Sequence, residues 1–319
     1  MPTARGAKYH KEVVGDIQKI IVIVNSPNVL EVGDIKDDAA IDSMLWIGTT
    51  GWNGADAIGK ILTGEVNPSG HTVDFWMRNL LDDPTYYNFS NDNQVGYLID
   101  GNYGTIALGT SNTNAGNTLP MGHTTDSETT QSGMMVSYSE GIFAGYRYFE
   151  SVAADMGEAG EAWYQSVTAY PFGFGLSYTE FEQKIVGVEG DLSNADGDLV
   201  VKVQVKNVGS VAGKDVVQLY NTPEYKDGEI DKAFVNLIGF NKSNIIKPGK
   251  SEIVSVKVAV KDLAEFDYND ANKNNNNGYE LEAGTRWFIL PELGRRRRPS
   301  QWMPGRIPHL PFSSGGWVA

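Results

Sequence analysis

The chain has 319 residues, enough for two domains of ordinary size. Hydrophobic residues make up 41% and charged residues 21%, as in folded globular proteins, and its apolar runs are too short to span a bilayer. It has no cysteine, which excludes disulfides, thiolate metal sites and a cysteine nucleophile. The net charge is −14, but residues 286–319 carry six arginines and one glutamate, so residues 1–285 carry −19. That acidic body argues against nucleic acid as a partner.

The first part of the chain alternates predicted helices and strands. A short helix is predicted over Lys11–Lys19, and the five β-branched residues Ile20–Val24 predict a strand buried on both faces, as in a parallel sheet. Asp37–Met44 is predicted to form a helical turn, and Leu45–Ile47 is another brief apolar stretch, which we take as a second strand. Asn53 is predicted to cap a helix over Gly54–Leu62. This order of elements predicts an α/β layer.

Residues 88–133 differ from the segments on either side. They are rich in Asn, Gly, Thr and Ser, and we interpret them as long loops, which in compact domains tend to be functional or mobile. Regular structure is expected to return at Met134–Glu150. Pro171–Phe181 is expected to close this first domain, which we place at residues 1–182.

From Leu192 onward, apolar residues recur at every second position, which is typical of strands with one buried face. Pro248 and Gly249 predict a type II turn, because Pro248 presets φ and Gly249 supplies a positive φ. We therefore predict a β-sandwich over residues 183–290, with Asn272–Asn277 as a solvated hairpin tip. The alternating apolar residues are Val201, Val203, Val205, Val254, Val256, Val258 and Val260.

The C-terminal tail, residues 291–319, is basic and rich in proline, and it contains Arg295–Arg298. We interpret it either as an interaction or localisation signal or as an unstructured or foreign terminus. No secretory signal is visible at the N-terminus, and a cytoplasmic location is the expectation.

No metal, cofactor or nucleophile site is predicted. The histidines are far apart in sequence, and no Gly-x-Ser-x-Gly elbow is present. Asp270-Ala271-Asn272-Lys273-Asn274 resembles the start of a calcium loop, but Asn275 and Leu281 stand where that loop needs Gly and a bidentate Glu.

Two aromatic-rich segments are candidates for function. In Tyr138–Phe149, Glu140 and Arg147 lie among five aromatic residues. Such charges are retained near apolar surface when they are paired or face a polar cleft, so they either orient sugar hydroxyls or form a structural ion pair. Tyr170–Tyr178 alternates aromatic residues and glycines, and we interpret it as an extended strip packed between domains.

Together these segments resemble glycoside hydrolase family 3, the β-glucosidase and β-xylosidase group. Residues 192–284 resemble the fibronectin type III-like domain that follows in that family. The resemblance implies an α/β sandwich domain with a mainly parallel sheet, followed by a fibronectin type III-like, immunoglobulin-like β-sandwich. Four segments match in order: Ile20–Asn25, the helix and Asn-Pro-Ser-Gly turn within Asn53–Gly70, the Glu-Gly-Ile-x-x-Gly-Tyr-Arg-Tyr pattern within Tyr138–Phe149, and Pro171–Phe181.

The resemblance further implies part of a retaining β-glycosidase that hydrolyses terminal β-linked sugars of oligosaccharides or aryl glycosides with two carboxylates. In the family the nucleophilic Asp belongs to a (β/α)8 barrel, which this chain does not match. The acid/base Glu usually precedes the strand matched by Ile20–Asn25, and Met1–Lys19 shows no match to that segment. No residue of this chain is therefore assigned a catalytic role, and Glu140 is not matched to either catalytic carboxylate. We interpret the chain as a fragment without the catalytic barrel.

The sequence departs from the family at Gly51–Ala55 and after Gly284, where the family would finish a last strand and this chain turns basic. In some members the barrel follows this half, in others it precedes it, and both orders stay open. The expected partners are a small carbohydrate substrate and either the missing barrel or a second copy bound through an exposed apolar interface. The alternative function is a carbohydrate-binding or scaffold module without catalysis.

Overall fold

The computed structural model describes residues 19–90, 94–99, 102–107, 135–136, 140–226, 228–290 and 303–307. The helix predicted over Lys11–Lys19 lies outside this range, apart from its last residue. The chain divides into two compact units, one of residues 1–78 with 145–319 and one of residues 79–144. The boundaries predicted at residues 182 and 290 fall inside the first unit and stay predictions.

The N-terminal segment of the first unit contains a parallel pair of strands. Val24 at the end of the first strand lies opposite Trp46 at the end of the second. The prediction that the first strand is buried on both faces is wrong, because Ile21 and Ile23 on one side of the strand are 42% and 43% exposed. The elements are β1 (Ile21–Val24), α1 (Gly33–Asp37), β2 (Ser43–Trp46), α2 (Ala55–Leu62) and β3 (Trp76–Met77).

Two local predictions in this segment need correction. The helical turn predicted over Asp37–Met44 lies earlier, in α1, because Ser43–Trp46 joins the parallel pair instead. The helix α2 forms as predicted, but its N-cap is Gly54 and no side chain caps it, so Asn53 does not have the predicted role.

The second unit contains short elements. After a 3-10 turn at Leu80–Asp82 come α3 (Pro84–Asn88), β4 (Phe89–Ser90), β5 (Gln94–Ile99), β6 (Asn102–Ala107) and β7 (Met135–Val136). β5 and β6 form an antiparallel hairpin, and β4 pairs with β7. The prediction of long loops over residues 88–133 is therefore wrong for β4, β5 and β6. The rest of that segment lies outside the described residues.

The chain then returns to the first unit through two helices, α4 (Tyr146–Asp155) and α5 (Gly160–Val167), and the strand β8 (Thr168–Tyr170). β8 pairs antiparallel with β3, so the described strands of this α/β part form one parallel pair and one antiparallel pair. Its core is aromatic: Phe75 stacks on Phe149 with ring centroids 4.0 Å apart, and Trp46 meets Trp76 edge to face at 5.3 Å.

The second half of the first unit is the predicted β-sandwich. Its strands are β9 (Phe181–Glu189), β10 (Asp198–Asn207), β11 (Val216–Pro223), β12 (Asn236–Lys242), β13 (Ser251–Ala259), β14 (Glu265–Asp267), β15 (Gly278–Glu280), β16 (Gly284–Ile289) and β17 (Met303–Ile307). One sheet has the order β13-β10-β9 and the other β12-β11-β16-β17, while β14 and β15 form a separate hairpin.

The alternating valines form the sandwich core, as predicted. All seven, from Val201 to Val260, are at most 4% exposed, and they pack with Leu219 and Phe288. The type II turn is confirmed as well: Gly249 has φ +71°, and the Lys250 N–H donates to the Lys247 carbonyl at 3.0 Å.

The end of the chain departs from expectation. The sequence was expected to leave the family pattern after Gly284, but Gly284–Ile289 forms β16, which pairs with β11 and buries Phe288 and Ile289. Met303–Ile307 forms β17 beside β16, so the expectation of an unstructured tail does not hold for these five residues. The other tail residues, including Arg295–Arg298, lie outside the described range.

Candidate functional site

The carboxyl ends of β1 and β2 are the first place to search for a site, because ligands of α/β sheets bind outside the carboxyl ends of parallel strands. The loop after β1 is fixed by the Trp46 indole, whose Nε1 donates to the Ser26 carbonyl at 2.7 Å. The loop after β2 contains Gly51, with φ +62°, and then Trp52, whose side chain is fully exposed. The loops at this edge therefore present backbone groups and the exposed Trp52 ring, which could contact a ligand bound there.

Several acidic side chains of the α/β part have structural partners. Asp37 forms an ion pair with Arg78, and Asp42 accepts a hydrogen bond from the Ile20 N–H at 2.7 Å. The buried Glu150 accepts from the Tyr164 hydroxyl at 2.8 Å. These contacts hold the carboxylates against neighbouring backbone and side chains. They are therefore better suited to a structural role beside a site than to a reaction with substrate.

The structure places the two predicted site residues in different compact units. Glu140 is buried in the unit of residues 79–144, and its carbonyl accepts from the Phe143 N–H at 3.0 Å. Arg147 lies in the first turn of α4 in the other unit, 6.0 Å from the Tyr146 ring centroid. The sugar-orienting role and the structural pair both stay predictions.

The aromatic strip Tyr170–Tyr178 is packed between the α/β part and the sandwich, as predicted. Phe172 stacks on Tyr146 at 4.5 Å, and the Gln218 amide lies 3.4 Å from the Gly173 carbonyl. Gly173 has φ +76°, and a Cβ there would lie 2.0 Å from the Gln218 Oε1. Only glycine therefore allows this approach between the strip and β11.

A polar cluster at the same interface was not found from the sequence. Burial lowers the pKa of His71 below its ordinary value, and the nearby carboxylate of Asp215 partly offsets this. Burial likewise raises the pKa of Asp215, whose Oδ2 accepts from the Gln183 amide at 2.8 Å. Lys242 reaches across to the Ser69 carbonyl at 2.8 Å. The sequence does not predict this cluster, because its residues are far apart in the chain and come together only when the α/β part packs against the sandwich.

The calcium-like loop is organised around a carboxylate of its own hairpin. Within the described residues, no group of three or more His, Asp or Glu side chains is close enough to hold a metal ion. The loop folds around the buried Glu280 instead, and the carboxylate accepts hydrogen bonds of 2.7–2.9 Å from the side-chain amides of Asn272, Asn274 and Asn276. The predicted solvated tip is thus partly engaged with its own strand. In the described residues, no helix has the length and hydropathy of a membrane span.

The sequence match decides the family. Residues 2–178 match the glycosyl hydrolase family 3 C-terminal domain, more than half of the chain, and residues 215–286 match the fibronectin type III-like domain. The chain belongs to glycoside hydrolase family 3. Within that family it is 29% identical over 258 residues to a β-glucosidase of Ruminococcus albus, a match that covers 81% of this chain and 21% of the relative. A match to β-glucosidase A of Butyrivibrio fibrisolvens, also 29% identical, covers 89% and 29%.

Solved structures of the family agree with this fold. A β-glucosidase from Paenibacillus barengoltzii superposes with a TM-score of 0.66 at 25% identity, over 94% of this chain and 26% of that one. β-Glucosidase 3B from Thermotoga neapolitana in complex with α-D-glucose gives a TM-score of 0.63 at 26% identity, over 96% and 33%. The α/β plus fibronectin type III-like fold class is confirmed, and this family 3 chain spans about a fifth to a third of these relatives' length.

Proposed function

We propose that this chain acts as the non-barrel part of a retaining β-glucosidase that releases terminal β-linked glucose. One observation carries the proposal: the chain matches the family 3 C-terminal and fibronectin type III-like domains across most of its length, yet covers only 21–29% of two β-glucosidase relatives. The carboxylates that attack the anomeric carbon and protonate the leaving oxygen would then come from residues outside this chain.

In this proposal the α/β part walls the sugar pocket. Its loops at the carboxyl ends of β1 and β2 would exclude water and orient the substrate against a (β/α)8 barrel. Holding the substrate in a fixed orientation relative to the catalytic carboxylates accelerates the reaction. Glu140 and Arg147 are proposed to orient sugar hydroxyls, with a structural ion pair as the competing role.

Hydrolysis assays test this division of labour. The purified chain alone is expected to show no turnover of 4-nitrophenyl β-D-glucoside, and activity is expected after adding the barrel domain of a family 3 relative as a separate polypeptide. Robust turnover by the chain alone would overturn the assignment of both carboxylates to another segment. A mixture that stays inactive, although the two parts bind each other, would contradict the proposed pocket wall.

Exposed apolar side chains in the α/β part support the proposed contact with a barrel or a second copy. Ile21 and Ile23 on β1 and Leu62 on α2 are 42–43% exposed, and Val73 is 65% exposed. Ile21 and Ile23 lie on the same side of β1, and neighbouring exposed apolar residues mark association surfaces. Sedimentation velocity across a concentration series is expected to show self-association, which Ile21→Lys/Ile23→Lys reduces. A monomer at high concentration would refute the self-association.

The second candidate function is a non-catalytic carbohydrate-binding module. It is favoured by exposed aromatic side chains on the sandwich, notably Tyr268 and Tyr279, which are 57% and 61% exposed. Sugar binding by the chain without hydrolysis, both alone and with the barrel added, would support it over the half-enzyme.

A further inference from the structure

Two asparagines of the chain are followed directly by glycine, in Asn53-Gly54 and in Asn277-Gly278. An asparagine in this position can lose its amide group without an enzyme, because the backbone nitrogen of the next residue attacks the side-chain carbonyl carbon and glycine has no side chain to hinder the attack. The attack also requires an unbound side chain and a backbone that can bend toward it. The two asparagines differ in these requirements.

The backbone after Asn53 is held in a helical turn. The Gly54 N–H, whose nitrogen would have to attack, donates to the Thr50 carbonyl at 3.2 Å. A Cβ at Gly54 would lie 2.3 Å from the same oxygen, so the turn is tightly closed. Gly54 is also the N-cap of α2 and has helical φ and ψ angles. Asn53 can therefore react only after this hydrogen bond has broken and the start of the helix has opened.

Asn277 lies at an open end of the β14–β15 hairpin. Its side chain is exposed, and in the part of the chain that the structure describes no hydrogen bond holds its amide. Gly278 begins β15 and pairs with Asp267 at the end of a ladder of three residues, where strands fray first. A Cβ at Gly278 would meet no described atom within 4 Å. The attacking nitrogen is therefore easier to reach here than at Gly54.

The other asparagines of this loop are less suited to the reaction. The side-chain amides of Asn272, Asn274 and Asn276 donate to the buried Glu280 at 2.7–2.9 Å. Each of them, like the exposed asparagine between Asn274 and Asn276, is followed by a residue with a side chain. Within this loop, Asn277 thus combines an unbound amide with a following glycine.

We propose that Asn277 is a site of spontaneous deamidation, which converts its side-chain amide into a carboxylate. The Gly278 nitrogen loses its proton and bonds to the Asn277 Cγ, the bond between Cγ and Nδ2 breaks, and the amide nitrogen takes up a proton and leaves as ammonia. One water molecule then opens the cyclic imide at either of its carbonyl groups, which gives aspartate or isoaspartate. The reaction consumes only water and needs no oxidant, metal or second protein.

The products change the charge and the spacing of the hairpin. A carboxylate at residue 277 joins the acidic side chains of Asp267, Asp270 and Glu280, and the connecting loop has one basic side chain, Lys273. Isoaspartate also adds one carbon atom to the main chain directly before β15, where Asp267 pairs with Gly278. This inference does not depend on the proposed glycosidase role.

Peptide mapping of the full chain measures both asparagines in one sample. Trypsin yields Asn274–Arg286, which contains Asn277, and Asp37–Lys60, whose only asparagine is Asn53. After incubation at pH 8 and 37 °C, tandem mass spectrometry is expected to show a gain of about 1 Da at Asn277. Since the Gly54 hydrogen bond must break first, we expect Asn277 to react about tenfold faster than Asn53 in the folded chain. A sample digested without incubation corrects for reaction during digestion.

Unfolding removes the structural difference between the two asparagines and provides the main control. In guanidinium chloride they are expected to react at similar rates, since both precede glycine. Asn277→Gln should abolish the mass gain, because glutamine would have to form a larger ring, whereas Asn275→Gln, at an exposed neighbour, should leave the rate at Asn277 unchanged. The proposal is overturned if Asn277 stays intact in the folded chain, if the ratio of the two rates is the same with and without denaturant, or if the mass gain falls on another asparagine of the same peptide.

Discussion

The buried side chain of Asn207 at the end of β10 gives the sharpest stability prediction. It is 0% exposed and makes four side-chain hydrogen bonds. Its Oδ1 accepts from the Thr179 hydroxyl at 2.8 Å and the Gly209 N–H at 3.1 Å, while its Nδ2 donates to the carbonyls of Val211 and Ile246, both at 2.8 Å. One amide thus joins the start of the sandwich to two of its turns.

The cost of Asn207→Ala follows from what each partner retains. The Gly209 N–H also contacts the Glu180 carbonyl at 3.3 Å, and the Ile246 carbonyl also accepts from the Gly213 N–H at 3.2 Å. These two groups lose about 0.5–1 kcal/mol each, whereas the Thr179 hydroxyl and the Val211 carbonyl lose about 1 kcal/mol or more each. We therefore expect Asn207→Ala to lower the free energy of unfolding by about 3 kcal/mol.

Urea unfolding followed by circular dichroism measures this loss as a lower midpoint at unchanged slope. Asn194→Ala is the control: Asn194 is exposed and accepts one hydrogen bond, from the Asp196 N–H, so a change below about 0.5 kcal/mol is expected. Asn207→Asp keeps both acceptor contacts but turns a carboxylate toward two carbonyls, so its loss should be larger at neutral pH than at acid pH. A loss under about 1 kcal/mol for Asn207→Ala would refute the reasoning.

Three further changes test the interface and the buried charges. Gly173→Ala should destabilise the chain by about 2 kcal/mol, because the residue has a positive φ and its new Cβ displaces the Gln218 amide; an unfolding midpoint like that of the parent would contradict this. Arg286→Met should cost about 3–5 kcal/mol in urea unfolding, because it leaves Glu265 buried without its ion pair, and Arg286→Met/Glu265→Gln should recover part of that loss; a double variant no more stable than the single one would argue against the pair. Burial lowers the pKa of His71 in the folded chain below its ordinary value of 6.5. Below about pH 6.5 the unfolded chain therefore binds a proton at His71 more readily than the folded chain does, and the free energy of unfolding declines as the pH falls. His71→Gln should therefore lose less stability than the parent chain between pH 7 and pH 5, and parallel pH profiles would refute this.

The sandwich was predictable from sequence because its signals are local. Alternating valines in β10 and β13 report which face is buried, and Pro248-Gly249 fixes a turn by the φ angles that these residues prefer. The helix α2 followed from its periodicity. Its cap did not, because Asn53 and Gly54 both suit that position and the backbone of the preceding turn decides between them.

The α/β part was less predictable because burial depends on neighbours. Five β-branched residues predict a strand, and β1 forms, but the exposure of Ile21 depends on what covers the sheet. The strand Ser43–Trp46 overlaps the predicted apolar stretch Leu45–Ile47, but its first two residues lie in the predicted helical turn and join the strand through parallel pairing with β1. For the candidate site, the motif around Glu140 and Arg147 pointed to the family. A shared motif does not determine which side chains Glu140 and Arg147 contact in the folded chain.

The junction between the α/β part and the sandwich shows how this fold can persist at 25–29% identity. The Tyr146 and Ser151 hydroxyls on α4 accept from the backbone N–H groups of Leu237 and Phe234 at 2.9 and 3.0 Å. A bond to a backbone group places no demand on the side chain of that residue, so the sandwich sequence can change while the contact remains. The junction therefore constrains the residues on α4 more than those on the sandwich. Because α4 also carries Arg147, the sandwich steadies the helix from which a proposed pocket residue projects.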